Sequence, residues 1–194
     1  MKIVGLLLAA GQSTRMGQPK QLLVWKGRPL VAHIATEALA SQLAGLTVVV
    51  GAAEAQVRVA LRDLSVQIVT NSAYAEGLGT SLAVGLRALP ADTTAAMVLL
   101  VDQPLVTVRL INELINAYRA VPAALALVPV YRSQRGNPVI IAADLFAELT
   151  TLRGDAGARA VFNRYTDQIV WHETNDPAVI TDADTPEAWR ALQE

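Results

Sequence analysis

The sequence contains no cysteine. That excludes disulfides, thiolate metal sites and a cysteine nucleophile, and it accords with a reducing compartment. Imidazole is scarce too: His33 and His172 are the two histidines, far apart in the chain and without metal-ligand spacing. Aromatic residues make up 5% of the chain, and Trp25, Trp171 and Trp189 read as packing residues rather than as base-stacking platforms. Neither sign of charge dominates, because 16 Lys+Arg face 17 Asp+Glu for a net charge of −1. Broad attraction to nucleic acid or to an anionic membrane is therefore not expected, and an anionic ligand must be held by a local cluster. No apolar run approaches the length of a membrane span. The opening stretch MKIVGLLLAAG breaks at Gly11 into a polar, basic loop, so it reads as a buried first strand of a cytoplasmic protein rather than an export signal.

What is present is apolar sequence in short, regularly spaced runs. With 194 residues and 53% hydrophobic content the chain can bury a substantial core as one domain, 1–194. Strands are expected at Ile3–Ala9, Leu46–Val50, Val66–Thr70, Ala96–Val101 and Ala124–Pro129. Each is nearly continuous apolar sequence, as in a parallel sheet covered on both faces. Helical patterns at Leu30–Leu43, Glu54–Asp63, Thr80–Leu89 and Thr107–Ala120 alternate with them. The right-handed crossover rule then gives an α/β fold with a doubly wound, mostly parallel, Rossmann-like sheet. After Pro129 the rhythm changes to a turn, a strand at Val139–Ala142, a short helix opened by Asp144, a helical stretch GDAGARAVFNRY, a strand-like QIVWHE and a last helix capped by Thr185 with Pro186 at its first position.

Ligands of open α/β sheets lie at the carboxyl ends of the strands. The first such loop reads LAAGQSTRMGQPKQLL. Gly11 and Gly17 permit positive φ there, the intervening amides can form an anion nest, and Arg15 and Lys20 add fixed positive charge. The spacing fits neither G-x-x-x-x-G-K-[ST] nor G-x-G-x-x-G. Asp102, in AMVLLVDQPLV, follows an apolar strand at the same edge and suits Mg2+, which takes oxygen ligands from carboxylates and phosphates. Asp182 and Asp184, in TDADTPEAW, alternate along an extended segment and so share a side. Gly77 and Gly79 precede a helix whose first amides are free.

The string LLLAAGQSTRMGQPKQLL resembles the signature L-x-A-G-x-S-x-R-M-G-x-x-K-x-L-L of the nucleotidyltransferases that include the molybdenum cofactor cytidylyl- and guanylyltransferases. VDQP resembles the family's G-D-Q-P, with Val101 in place of glycine. AEGLGTSL resembles A-E-G-M-G-S-S-L, and DADTPEAW resembles D-x-D-T-P-E-D. The resemblance implies a nucleotide site made by Ala9, Ala10, Gly11, Ser13, Arg15, Lys20, Asn71, Gly79 and Ser81. It implies catalytic roles for Arg15, Lys20 and Asp102, and Mg2+ on Asp102 and Asp184, with Asp182 the weaker candidate ligand. RGNPV and GDAGAR resemble acceptor-side segments, which assigns Arg135, Asn137, Asp155 and Arg159 to the acceptor. On this reading residues 1–122 form a nucleotide-binding half and 123–194 an acceptor-side half.

Guanylyltransferases of the group carry Ala-Gly-Gly where this chain has Ala9-Ala10-Gly11, so the resemblance favours CTP over GTP and molybdopterin as acceptor, with a client molybdoenzyme as a further partner. The alternatives are another phosphorylated acceptor, such as a sugar phosphate or methylerythritol phosphate, and a carrier that binds cofactor without turnover.

Overall fold

The computed structural model describes residues 1–151 and 159–193. Among them the strands are β1 (Ile3–Ala9), β2 (Val24–Trp25), β3 (Arg28–Pro29), β4 (Leu46–Val50), β5 (Gln67–Thr70), β6 (Ala95–Leu100), β7 (Ala126–Tyr131), β8 (Gln134–Arg135), β9 (Val139–Ala142) and β10 (Ile169–Glu173). The α-helices are α1 (Leu30–Leu39), α2 (Glu54–Leu61), α3 (Leu78–Arg87), α4 (Val108–Arg119), α5 (Phe146–Leu149), α6 (Arg159–Phe162) and α7 (Pro186–Ala191). The strands of the main sheet run in the order β10-β7-β9-β6-β1-β4-β5, with β8 paired to β7, and β2 and β3 form a separate hairpin. No described helix is long and apolar enough to cross a membrane.

Every residue of β1 is buried, because helices cover both faces of the sheet. Leu7, Val48 and Met97 face α1, α2 and α4, whereas Leu6, Leu8, Val49 and Leu82 belong to the core under α3, α5 and α6. Each such leucine or valine contributes about 1.5–3 kcal/mol by leaving water. Strand pairing is parallel for β1/β4, β1/β6 and β4/β5, as the apolar runs predict, and parallel also for β7/β10.

Two strands of the sheet run the other way: the short β8 is antiparallel to β7, and β9 is antiparallel to both β6 and β7. The chain from Tyr131 to Val139 is too short for a crossover, which needs a dozen or more residues, so the returning strand must reverse. β7 also runs two residues past the expected end at Pro129. Proline removes only the donor, and the Pro129 carbonyl still accepts the Gly136 amide at 2.8 Å.

α1 stops at Leu39 rather than Leu43. The Ser41 hydroxyl donates to the Ala38 carbonyl at 2.6 Å and accepts from the Leu43 amide at 3.3 Å, offering the backbone a turn in place of further helix. Asp144 lies inside a 3-10 turn, Ala143–Leu145, and is not the cap expected from sequence. Thr185 does cap α7, accepting from the Ala188 amide at 3.2 Å, with Pro186 next in the chain.

One close approach fixes the site's floor. A Cβ built on Gly51, just after β4, would lie 2.7 Å from the Ala10 carbonyl oxygen and 2.9 Å from the Cβ atoms of Ala10 and Tyr74. Gly51→Ala is therefore expected to destabilise the protein by about 1–3 kcal/mol through overpacking, read as a lower urea midpoint at constant slope. An unchanged midpoint would mean that the loop yields at no cost.

Candidate active site

At the carboxyl edge of the sheet, β1, β6 and the segment before α7 deliver three charges to one point. The Lys20 ammonium lies 2.6 Å from Asp102 Oδ2 and 2.5 Å from Asp184 Oδ1. The Ala183 amide donates to the Asp102 carbonyl oxygen at 2.8 Å, which ties the C-terminal acidic segment to the end of β6. Asp102 Oδ1 is buried and accepts no hydrogen bond among the described residues. Asp182 is more exposed. Partial burial, then the Asp184 and Asp102 charges, holds its carboxyl above the usual range.

A cleft of about 360 Å3 opens beside this cluster, lined among others by Ala10, Gly11, Ser13, Lys20, Ser81 and Asp102. Larger clefts lie elsewhere, at Glu113 and His172 and at Thr80 and Arg87. Volume therefore does not distinguish the site, but the convergence of charge does.

The loop after β1 differs from expectation in detail. Gly17 does take positive φ, at 67°, but Gly11 does not; the second left-handed residue is Ser13, at φ 56°. Ser13 is held there because its hydroxyl accepts from the Lys20 amide at 2.9 Å and donates to Gln21 Oε1 at 3.3 Å. A Cβ at Gly11 would meet nothing within 4 Å, so neither the backbone nor the packing demands glycine there.

Other candidates fall in two groups. Ala9 packs in the core on the opposite sheet face, and Gly79 is buried in α3. Asn71 is buried, with its amide donating at 2.9 Å to both Thr80 and Ser81. Those hydroxyls do not cap α3, whose N-cap is Gly77; Asn71 instead fixes Ser81 at the cleft wall. Two of the acceptor-side residues, Arg135 and Asn137, fall among the described side chains. Arg135 sits 4.3 Å over the Trp171 ring, and the Asn137 amide donates to the Val179 carbonyl at 2.8 Å. Asp155, and the side chains of Arg15 and Arg159, lie outside the described residues.

Residues 5–169 match the MobA-like NTP transferase domain. The chain belongs to that family. A curated relative, nicotine blue oxidoreductase of Paenarthrobacter nicotinovorans, is 33% identical over 95% of this chain and 93% of its own length. Molybdenum cofactor guanylyltransferase of Xanthomonas euvesicatoria is 28% identical over 97% and 93%. Rv0371c of Mycobacterium tuberculosis superimposes with a TM-score of 0.87 at 27% identity over 99% of this chain and 97% of its own, and a structure of Rv0371c in complex with manganese is known.

Two contributors to this NTP transferase cleft were invisible in the sequence reading. Tyr74 lines it from the segment before α3, where a tyrosine carries no positional signature. Gln21 is buried beneath the loop, at a position the family signature leaves unspecified. Trp25 and Trp189 pack on each other at 5.7 Å, as expected of packing residues.

Burial alone would lower the Lys20 ammonium, but the Asp102 charge and hydrogen bond, joined by Asp184, outweigh it and hold the group above its ordinary 10.5. The native state thus keeps a proton that the unfolded chain releases first, so the ion pairs' stabilisation is complete below that value and is lost as pH rises beyond it. Tyr118, pushed up to about 12 by burial and then by the Asp144 charge, acts in the same direction. Denaturation midpoints should therefore fall above about pH 10.5, and fall less in Lys20→Met; equal alkaline losses in the two proteins would show that the lysine pairs contribute nothing.

Proposed function

We propose that this NTP transferase moves CMP from CTP onto molybdopterin in the cytoplasm, with Mg2+ and with release of pyrophosphate. The observation that carries the reading is the meeting of Lys20, Asp102 and Asp184 beside a cleft walled by Ala10 and Ser81. Two carboxylates alone do not cage a divalent ion, and no group of three or more His, Asp or Glu suited to a metal occurs among the described residues. Magnesium is commonly held by one or two carboxylates with phosphate oxygens completing its shell, so the donor set suits a metal that arrives with a triphosphate. The unpartnered Asp102 Oδ1 supplies a buried acceptor for it.

Asp102 and Asp184 would hold the ion, which when bound neutralises charge on the phosphates and polarises the α-phosphate. Lys20 and Arg15 would stabilise the triphosphate as charge passes to the leaving group. An acceptor phosphate oxygen attacks the α-phosphorus, the bond to the β-phosphate oxygen breaks, and pyrophosphate leaves with that electron pair. Residues 1–122, which supply β1, β4, β5 and β6, would form the nucleotide half; 123–194, with Arg135, Asn137, Asp155 and Arg159, would face the acceptor and a client molybdoenzyme. Ala10 supports CTP, since its carbonyl accepts the Ala52 amide at 3.1 Å and Gly51 packs against it, leaving the methyl no room to retreat. A methyl in such a wall is worth about 1–3 kcal/mol between bases.

Pyrophosphate release from CTP, GTP and ATP with molybdopterin is the direct test. Wild type should prefer CTP, and Asp102→Ala should lose roughly 100-fold or more in turnover; a preference for GTP, or equal release by both proteins, would overturn the respective assignment.

A second reading rests on the 33% identity to nicotine blue oxidoreductase over nearly the whole chain. On that reading the cleft serves electron transfer to an organic acceptor. Oxidation or reduction of an organic acceptor without pyrophosphate release would favour it.

Lys20 and a divalent ion share the same two carboxylates. Lys20→Met should therefore melt at lower temperature in chelator, by about 1–3 kcal/mol of stability lost from part-buried pairs, and should gain more from Mn2+ than wild type does. Equal thermal shifts with Mn2+ would separate the lysine from the metal site.

A further inference from the structure

We infer that Gln21 is a positioning residue that sets the orientation of the phosphate-binding backbone, an inference that rests on the triphosphate reading of the cleft. Gln21 is a polar side chain with 1% of its surface exposed, and it spends its whole amide on one loop. Its Nε2 donates to the Ala9 carbonyl at 3.0 Å and to the Gly11 carbonyl at 2.7 Å. Its Oε1 accepts from the Ser13 hydroxyl at 3.3 Å, and that hydroxyl in turn accepts the Lys20 amide at 2.9 Å. One side chain thus ties the exit of β1, the left-handed Ser13 and the backbone of Lys20 together.

The consequence follows from peptide geometry. A trans peptide carries its C=O and its N–H on opposite sides of one rigid plane. Pulling the Gly11 carbonyl inward onto Gln21 therefore turns the Gln12 amide the other way, toward the cleft that Gln12 lines. The amides of Gln12 and Ser13 have no hydrogen-bond partner among the described residues, as an anion nest requires. Glycine at residue 11, which neither φ nor packing demands, leaves that peptide bare for close approach. Among the described residues no other side chain donates to both carbonyls, so without Gln21 the Gly11–Gln12 peptide loses the contact that fixes its orientation.

The test compares Gln21→Met, which keeps the volume and removes the hydrogen bonds, with Gln21→Glu, which sets a carboxylate against two carbonyl oxygens. Binding of CTP and of CMP is measured by calorimetry with Mn2+, alongside Leu114→Ala, a buried core change on α4 that lines none of the cleft. The Gln21 variants should bind CTP about 10- to 100-fold more weakly, with CMP little changed, because only CTP reaches the nest with its outer phosphates. Turnover at saturating CTP should fall as well, and Leu114→Ala should lose melting temperature but neither affinity. Unchanged CTP affinity in Gln21→Met, or equal weakening of CTP and CMP, overturns the inference while leaving the nucleotide site standing. Wild type binding CTP no better than CMP overturns the triphosphate reading itself.

Discussion

Two ionised carboxylates repel in a partly buried site, and a cation between them lets both keep their charge. Asp102 and Asp184 come from distant places in the chain, and both lie within hydrogen-bonding distance of the Lys20 ammonium. Removing the positive partner would leave desolvated like charges, which is costlier than never having brought them together. The placement of the rest follows. β1 must deliver the Lys20 loop and β6 must deliver Asp102 to the same edge, so these two strands lie adjacent and parallel. The last segment must return to that edge, which the Ala183 amide secures on the Asp102 carbonyl.

A charge cluster is useful to a reaction only if its surroundings do not relax around it. Here rigidity comes from uncharged contacts. Gly51 brings the turn after β4 against Ala10 and Tyr74, Asn71 locks Thr80 and Ser81, and Gln21 locks the first loop from below. Three amides or glycines, none of them able to do chemistry, thus hold the wall against which the charged groups act.

The strands were legible because burial on both faces leaves an unbroken apolar run, and Ile3–Ala9, Leu46–Val50 and Val139–Ala142 end where the residue pattern changes. The direction of β9 was not, because a short apolar run has no polarity; only the length of the preceding connection carries that information. Asp102 and Lys20 could be read together because each follows a recognisable strand, and strand ends share an edge. Gln21 could not be read, nor could the left-handed turn at Ser13, a residue that only the family signature singles out, since what holds the two is mutual hydrogen bonding, and a glutamine in a polar loop looks like any other. Gly11 illustrates the converse: glycine invites an argument from φ, yet its backbone is ordinary and its lack of a side chain matters toward the cleft.

The seam between β6 and β9 bears on how one fold can serve different acceptors. On the first side of it the strands run parallel and end at the charge cluster; beyond it lie β9, β7 and β10, with Arg135 stacked over Trp171 on the face shared with Ala10 and Leu8. Three strand spacings separate β6 from β10, roughly 14 Å, so a group held there can differ between relatives without disturbing Lys20 or Asp102. That separation is consistent with a family in which a guanylyltransferase and a protein named an oxidoreductase align along nearly their whole lengths with this chain. Electron transfer by itself requires no paired carboxylates, whereas phosphoryl chemistry needs fixed charge at the α-phosphate. Asp102, Asp184 and Lys20 in one cluster therefore weigh toward nucleotidyl transfer, and function is argued from that cluster rather than from the fold that carries it.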